Sequence, residues 1–91
     1  MVPLQNFATG VLAEVIRRQP PSPARTDFAW SVAVGAALAR STSVLLTGGV
    51  LTVRARDPRW AKEIERAAET ILQRMQHLLG AANVARMEIE R

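Results

Sequence analysis

The sequence predicts an α+β fold: a three-stranded sheet with helices packed on one face, in the order α-α-β-β-α-β. Three observations carry this. Two short runs that read as strands flank a Gly-Gly pair, the pattern of a β-hairpin. A long helix-periodic segment opens on Asp57-Pro58 and stops at Gly80. A last alternating run, Val84 to Glu90, follows it. With 91 residues there is room for one domain. Its expected parts are an N-terminal helix (1–19), a proline-rich connection (20–26) and a core (27–91).

Each element has a local cause. Leu4 to Arg18 reads as a helix because Leu4, Ala8, Val11, Leu12 and Val15 form one apolar stripe. Gly10 weakens it slightly. Arg17 and Arg18 fall in the last turn, where the helix dipole favours cations. The segment "QPPSPAR" then interrupts helical structure, since proline lacks the N–H and fixes the backbone. A buried helix is expected from about Asp27 to Arg40, capped by Thr26 or Asp27. Its first half alternates like a strand, but "VAVGAALAR" is alanine-rich. Gly35 would permit a neighbour's close approach.

Thr42 to Leu46 and Val50 to Arg56 read as strands joined through Thr47, Gly48 and Gly49. In the second, Leu51, Val53 and Ala55 share a buried face, while Val50, Thr52, Arg54 and Arg56 share a wet one. Asp57 is a helix cap and Pro58 a first helical residue. The helix is expected to run unbroken to Leu79. Its apolar face holds Trp60, Ile64, Ala67, Ala68, Ile71, Met75, Leu78 and Leu79. In the last strand Ala85, Met87 and Ile89 point one way, and Arg86, Glu88 and Glu90 the other.

The charge balance is +4, with eleven arginines and one lysine among the bases. That fits a phosphate-bearing partner without specifying one. Cysteine is absent, which excludes disulfides, thiol catalysis and cysteine-based zinc sites. No metal-ligand spacing, phosphate loop or nucleophile motif appears, so neither an enzyme nor a cofactor is expected. The N-terminus lacks signal-peptide organisation. The longest uncharged run, Phe28 to Ala39, is shorter than the roughly 20 residues of a membrane span. A cytoplasmic protein is the expectation.

The best candidate site is the polar side of the long helix. Arg59, Lys62, Arg66, Thr70, Gln73 and His77 lie near one line, and Arg54 and Arg56 precede them. Arg54, Arg56, Arg59, Lys62 and Arg66 are the candidate phosphate contacts, salt-dependent and sequence-neutral. The competing reading is an ordinary solvated face, pairing Lys62 with Glu65 or Arg66 with Glu69. Trp60 reads as a core anchor, with stacking on a base as its alternative. His77 reads as a surface histidine.

From Trp30 onward the chain resembles a known family. The segments "WSVAVGAALARST", "GGVLTVRARDPRWAKEIE" and "ILQRMQHLLGAANVARMEIE" are similar to the DciA family of bacterial replicative-helicase operators. Matching positions include Trp30, Gly35, Leu38, Ala39, Thr42, Gly49, Leu51, Val53, Trp60, Ala61, Glu63, Leu72, Leu79 and Val84. The specific part is G-x-L-x-V followed by P-x-W-A-x-E. The resemblance implies a KH-like fold, contact with the replicative DNA helicase, and binding to DNA. It does not imply the RNA clamp of KH domains, which uses a G-x-x-G loop; "GAAN" does not match. Many family members carry a basic extension past this domain, whereas this sequence stops at Arg91, so weak single-stranded DNA binding is expected. Two other functions fit the residues: a protein-interaction module, such as a homodimer using a sheet edge, and a KH-like RNA-binding factor.

Overall fold

The computed structural model describes residues 4–90, with side chains from residue 11 onward. Its elements are α1 (Leu4–Arg18), α2 (Pro23–Val34), α3 (Ala36–Arg40), β1 (Thr42–Thr47), β2 (Val50–Ala55), α4 (Pro58–Arg66), α5 (Ala68–Leu79) and β3 (Arg86–Glu90). The α+β class and the three-stranded sheet hold, and the element order matches roughly. Two of the expected helices are each broken in two.

The sheet order is β1-β2-β3. β1 pairs antiparallel with β2, and β2 pairs parallel with β3. Antiparallel neighbours need only a two-residue turn; parallel neighbours need a crossover, which α4 and α5 supply. In the turn, Gly48 and Gly49 have φ of 57° and 80°, the signs a type I′ hairpin requires. Gly49 also serves the third strand: its carbonyl accepts the N–H groups of Ala85 (2.7 Å) and Arg86 (3.2 Å). The hairpin turn thereby holds the entry to β3. Val84, fully buried, precedes the strand rather than starting it.

The two sheet faces divide as alternation predicts. Leu51 and Val53 are buried, with Val44, Leu46, Met87 and Ile89 packed around them. Arg54, Arg86, Glu88 and Glu90 are exposed on the other face. The helices supply the rest of the core through Ala13, Ile16, Ala29, Trp30, Ile64, Ile71, Met75, Leu78 and Leu79.

α1 keeps its expected span but turns a different face inward. Ala13 and Ile16 are buried and Leu12 packs against the core, whereas Val11 and Val15 are exposed. The expected stripe residues Leu4 and Ala8 lie outside the described side chains. Small Ala13 lets the helix approach closely, and Arg17 fixes its end by donating to the His77 carbonyl at 3.0 Å. That carbonyl is one of those left without a partner at a helix C-terminus.

α2 starts at Pro23, earlier than Asp27. Ser22, not Thr26 or Asp27, is the cap: its hydroxyl oxygen accepts the Arg25 N–H at 3.0 Å. Thr26 is buried instead. The helix ends at Gly35, with φ 90° and ψ 160°. That region is essentially closed to residues with a Cβ. A Cβ at Gly35 would meet nothing within 4 Å, so the glycine is needed for its backbone angles and not for close approach. The break also leaves Gly35, Ala36 and Ala37 exposed, so the segment is less covered than expected.

The break at Ala67 has no such local cause. No glycine or proline is present, yet the chain leaves helical geometry there (φ −102°, ψ 12°). The two halves serve different neighbours: α4 contacts β2 and β3, while α5 packs mainly on α1 and α2 and touches the sheet only at β3. Reorientation at Ala67 lets both bury their apolar residues. Tertiary packing overrides a continuous helical pattern.

Candidate functional site

The corner between β2 and α4 is built by Asp57. Its extended backbone and its side chain cap α4, with Oδ1 accepting the Arg59 N–H at 2.8 Å. Pro58 occupies the first helical position, where no N–H is needed. The Arg56 N–H donates to the Ser41 carbonyl at 3.1 Å, tying the corner to the end of α3.

The five expected cations do not form one group: Arg54 stands apart, and Arg56 is exposed at the corner but does not line the hollow that the other three share. Arg54 lies on the open face of the sheet, away from α4, and is not part of a common patch. Its Nε and Nη2 both donate to Glu90 Oε2, at 3.0 and 2.9 Å. The parallel register places Glu90 directly across from Arg54. Arg59, Lys62 and Arg66, by contrast, line one shallow hollow of about 450 Å³ together with Trp60 and Glu63. Their spacing of three and four residues puts them on one helix face. The break at Ala67 interrupts the expected longer line to Thr70, Gln73 and His77.

Within that group, Arg59 folds back on the cap. Its Nη2 lies 2.9 Å from Asp57 Oδ2. This hydrogen-bonded pair holds the Asp57 carboxyl below the usual carboxylate range and raises the Arg59 guanidinium further. The sign is that of a depressed acid: its stabilisation is present at neutral pH and lost only as pH falls through the depressed value. Arg66 approaches Glu63 at 3.8 Å, one turn away, rather than Glu69. Both arginines are largely exposed, and ion pairs with such solvated partners contribute little to stability. Arg56 and Lys62 belong to none of the ion pairs among the described residues.

Trp60 is not the core anchor expected of it. It is half-buried and lies outside the buried cluster. The buried residues of α4 are Ala61 and Ile64. Trp60 instead lines two hollows, the basic one and a second of about 360 Å³ formed with Val34, Leu38 and Ile71. Trp30 does fill the anchor role, 2% exposed with its indole N–H bonded to Thr42.

Sequence reasoning also missed Arg25. It is buried, donates from Nη1 to the Gln19 carbonyl at 3.1 Å, and leaves Nε without a partner. Only the Ser22-Pro23 pair, which starts α2 as Asp57-Pro58 starts α4, hinted at its place in a first helical turn. Among the described residues, no helix is long and apolar enough to cross a membrane.

Comparison with known proteins adds one finding. No curated protein and no solved structure matches the chain. Residues 4–89, however, match the family described as "Dna[CI] antecedent, DciA". That match runs from the start of α1 into β3, ending one residue before its last. The chain therefore belongs to the DciA family, which is associated with loading of the DNA replication helicase.

Proposed function

We propose that this protein is a non-enzymatic accessory factor of DNA replication, working in the cytoplasm. It contacts the replicative DNA helicase and binds single-stranded DNA weakly, as a single KH-like domain. The family match over residues 4–89 carries the reading. The hollow beside Arg59, Lys62 and Arg66 supports its nucleic-acid part. Cations on one helix face meet phosphates without reading sequence, by releasing counterions.

Arg56 and Lys62 are the cations to test first, because neither belongs to an ion pair among the described residues. A double reversal, Arg56→Glu with Lys62→Glu, is expected to weaken oligo(dT) binding at low salt. Loss of two phosphate contacts lowers the slope of log affinity against log salt by about 1.4 for a single strand. Unchanged affinity and slope in a folded double variant would sink the patch. Binding to the helicase is measured in parallel, with and without DNA.

Asp57→Ala is expected to act in two directions. Loss of the cap lowers the thermal midpoint. Release of Arg59 and removal of one negative charge raise affinity for oligo(dT) at low salt. Affinity that falls along with stability would show that Arg59 serves the cap alone.

One observation favours a second reading, a protein-interaction module without a nucleic-acid role. Val15 and Phe28 line a surface hollow and are each about half exposed, at 50% and 51%. On that reading helicase affinity, or self-association into a homodimer, ignores both salt and the arginines.

A further inference from the structure

Trp60 stands at the boundary of two unlike surfaces. On one side lie Arg59, Lys62 and Arg66, three cations with the single carboxylate of Glu63 among them. On the other, Val34, Leu38, Ala67 and Ile71 line a mostly apolar hollow together with Glu63 and Arg74. Arg74 is held there by its bond to the Ala33 carbonyl at 2.9 Å. An aromatic ring of this size is ordinarily placed in the core or at a contact surface. Trp30 shows the first use in this chain, and Trp60 departs from it.

The two surfaces together select a ligand with an anionic thread and flat apolar plates. Single-stranded nucleic acid has both. A duplex hides its base faces inside the stack and offers mainly phosphate. From Arg59 to Arg66 the helix advances about 10 Å, the rise of about three stacked nucleotides at ~3.4 Å each. An acidic amphipathic helix would also complement the charge. It needs a run of apolar anchors along a groove, whereas the lining of this hollow includes the charged Glu63 and Arg74.

We infer that Trp60 is a stacking platform for an unpaired nucleobase, with the adjoining phosphates on Lys62, Arg66 and Arg59. The inference rests on the proposed single-stranded DNA binding and gives it a specific residue. Affinity then comes from two separable sources: phosphate contacts that salt weakens, and stacking that depends on a base being present. Bases are distinguished by stacking strength and not by hydrogen-bond readout.

The chain contains two tryptophans, and the buried Trp30 is shielded from ligand. Both rings emit, so it is the change in emission on adding ligand that reports on Trp60. Titration with oligo(dT) is compared with an abasic oligonucleotide of equal length, while anisotropy of the labelled strands records binding separately. Oligo(dT) is expected to quench the emission and the abasic strand to leave it unchanged. Trp60→Ala is expected to weaken oligo(dT) about tenfold, the lower part of the range for one stacked base, and to leave abasic binding unchanged. Trp60→Phe keeps a ring and most of the affinity but loses the quenching, which covers the case of an alanine variant that does not fold.

Binding of oligo(dT) without quenching, or equal loss for both strands in a folded Trp60→Ala, overturns the platform and leaves the DNA reading standing. Failure of both strands to bind at low salt overturns the DNA reading itself. Quenching by an acidic amphipathic peptide but by neither strand assigns the hollow to a protein partner and overturns the inference.

Discussion

Replacing Ile64 with alanine is expected to cost about 2–5 kcal/mol of folding stability. Ile64 is fully buried, and with Ala61 it makes up the buried part of α4. Its side chain joins the cluster that contains Leu51 and Val53 of β2. Few other large groups from α4 can fill the cavity left behind, because Ala61 is small and the half-buried Trp60 lies outside the core cluster. A domain of this length has a total stability of roughly 5–13 kcal/mol, so the variant loses a large share. In urea the midpoint should fall with the slope unchanged. A midpoint close to wild type would mean that α4 is held by something other than Ile64. Loss of α4 docking also disperses the basic hollow, so oligo(dT) binding should fall with the folded fraction.

Thr42→Val should have the second-largest effect, about 1–3 kcal/mol. The Trp30 indole N–H donates to Thr42 Oγ1 at 2.8 Å, and that hydroxyl donates to the Leu38 carbonyl at 2.8 Å. Thr42 thus joins α2, α3 and β1 through one oxygen. Valine keeps the shape but leaves a buried N–H without an acceptor, and that loss exceeds the net gain a typical hydrogen bond provides. Thr42→Ser retains both bonds and should cost clearly less. Trp30→Phe removes the orphaned donor, so Thr42→Val should cost little in that background. A double-mutant cycle by thermal unfolding measures the coupling. Additive single effects would show that the relay contributes nothing of its own.

Both predictions concern parts of the fold that the sequence announced unevenly. The hairpin and the start of α4 were legible because their causes are local: Gly48-Gly49 sets the turn, and Asp57-Pro58 sets the cap. The start of α2 was equally legible in principle. Ser22-Pro23 repeats the cap-then-proline logic of Asp57-Pro58, but the neighbouring prolines drew it into the connection. Gly35 was visible, yet alanine-rich sequence around it favoured one continuous helix. Nothing in residues 58–79 marks Ala67; that break answers to two sets of neighbours that only the assembled fold defines. In α1, two overlapping stripes were available, and the smaller Ala13 won the inward face over Val11 and Val15.

The candidate site shows the same division. Alternation placed Arg54 on the wet face of β2, as found. It could not reveal Glu90, which the parallel register brings from 36 residues away. Helical spacing correctly put Arg59, Lys62 and Arg66 side by side. It could not say that Arg59 would turn back to Asp57, because cap geometry and side-chain direction decide that together. Trp60 was misjudged by size alone. A large apolar side chain in the first turn of a helix goes to the core only if the helix docks along that line, and α4 docks along Ala61 and Ile64.

The carbonyl of Gly49 also bears on the order in which the chain assembles. β1 and β2 can pair as soon as their two-residue turn forms, since the loop to be closed is very short. β3 has to wait. Its partner strand lies beyond the whole of α4 and α5, and closing that long crossover carries an entropic penalty that only non-local contacts offset. The two N–H groups that Gly49 accepts belong to the first residues past that crossover. The turn made earliest therefore presents the acceptor that receives the strand arriving last, and during synthesis the sheet stays two-stranded until Arg86 has left the ribosome.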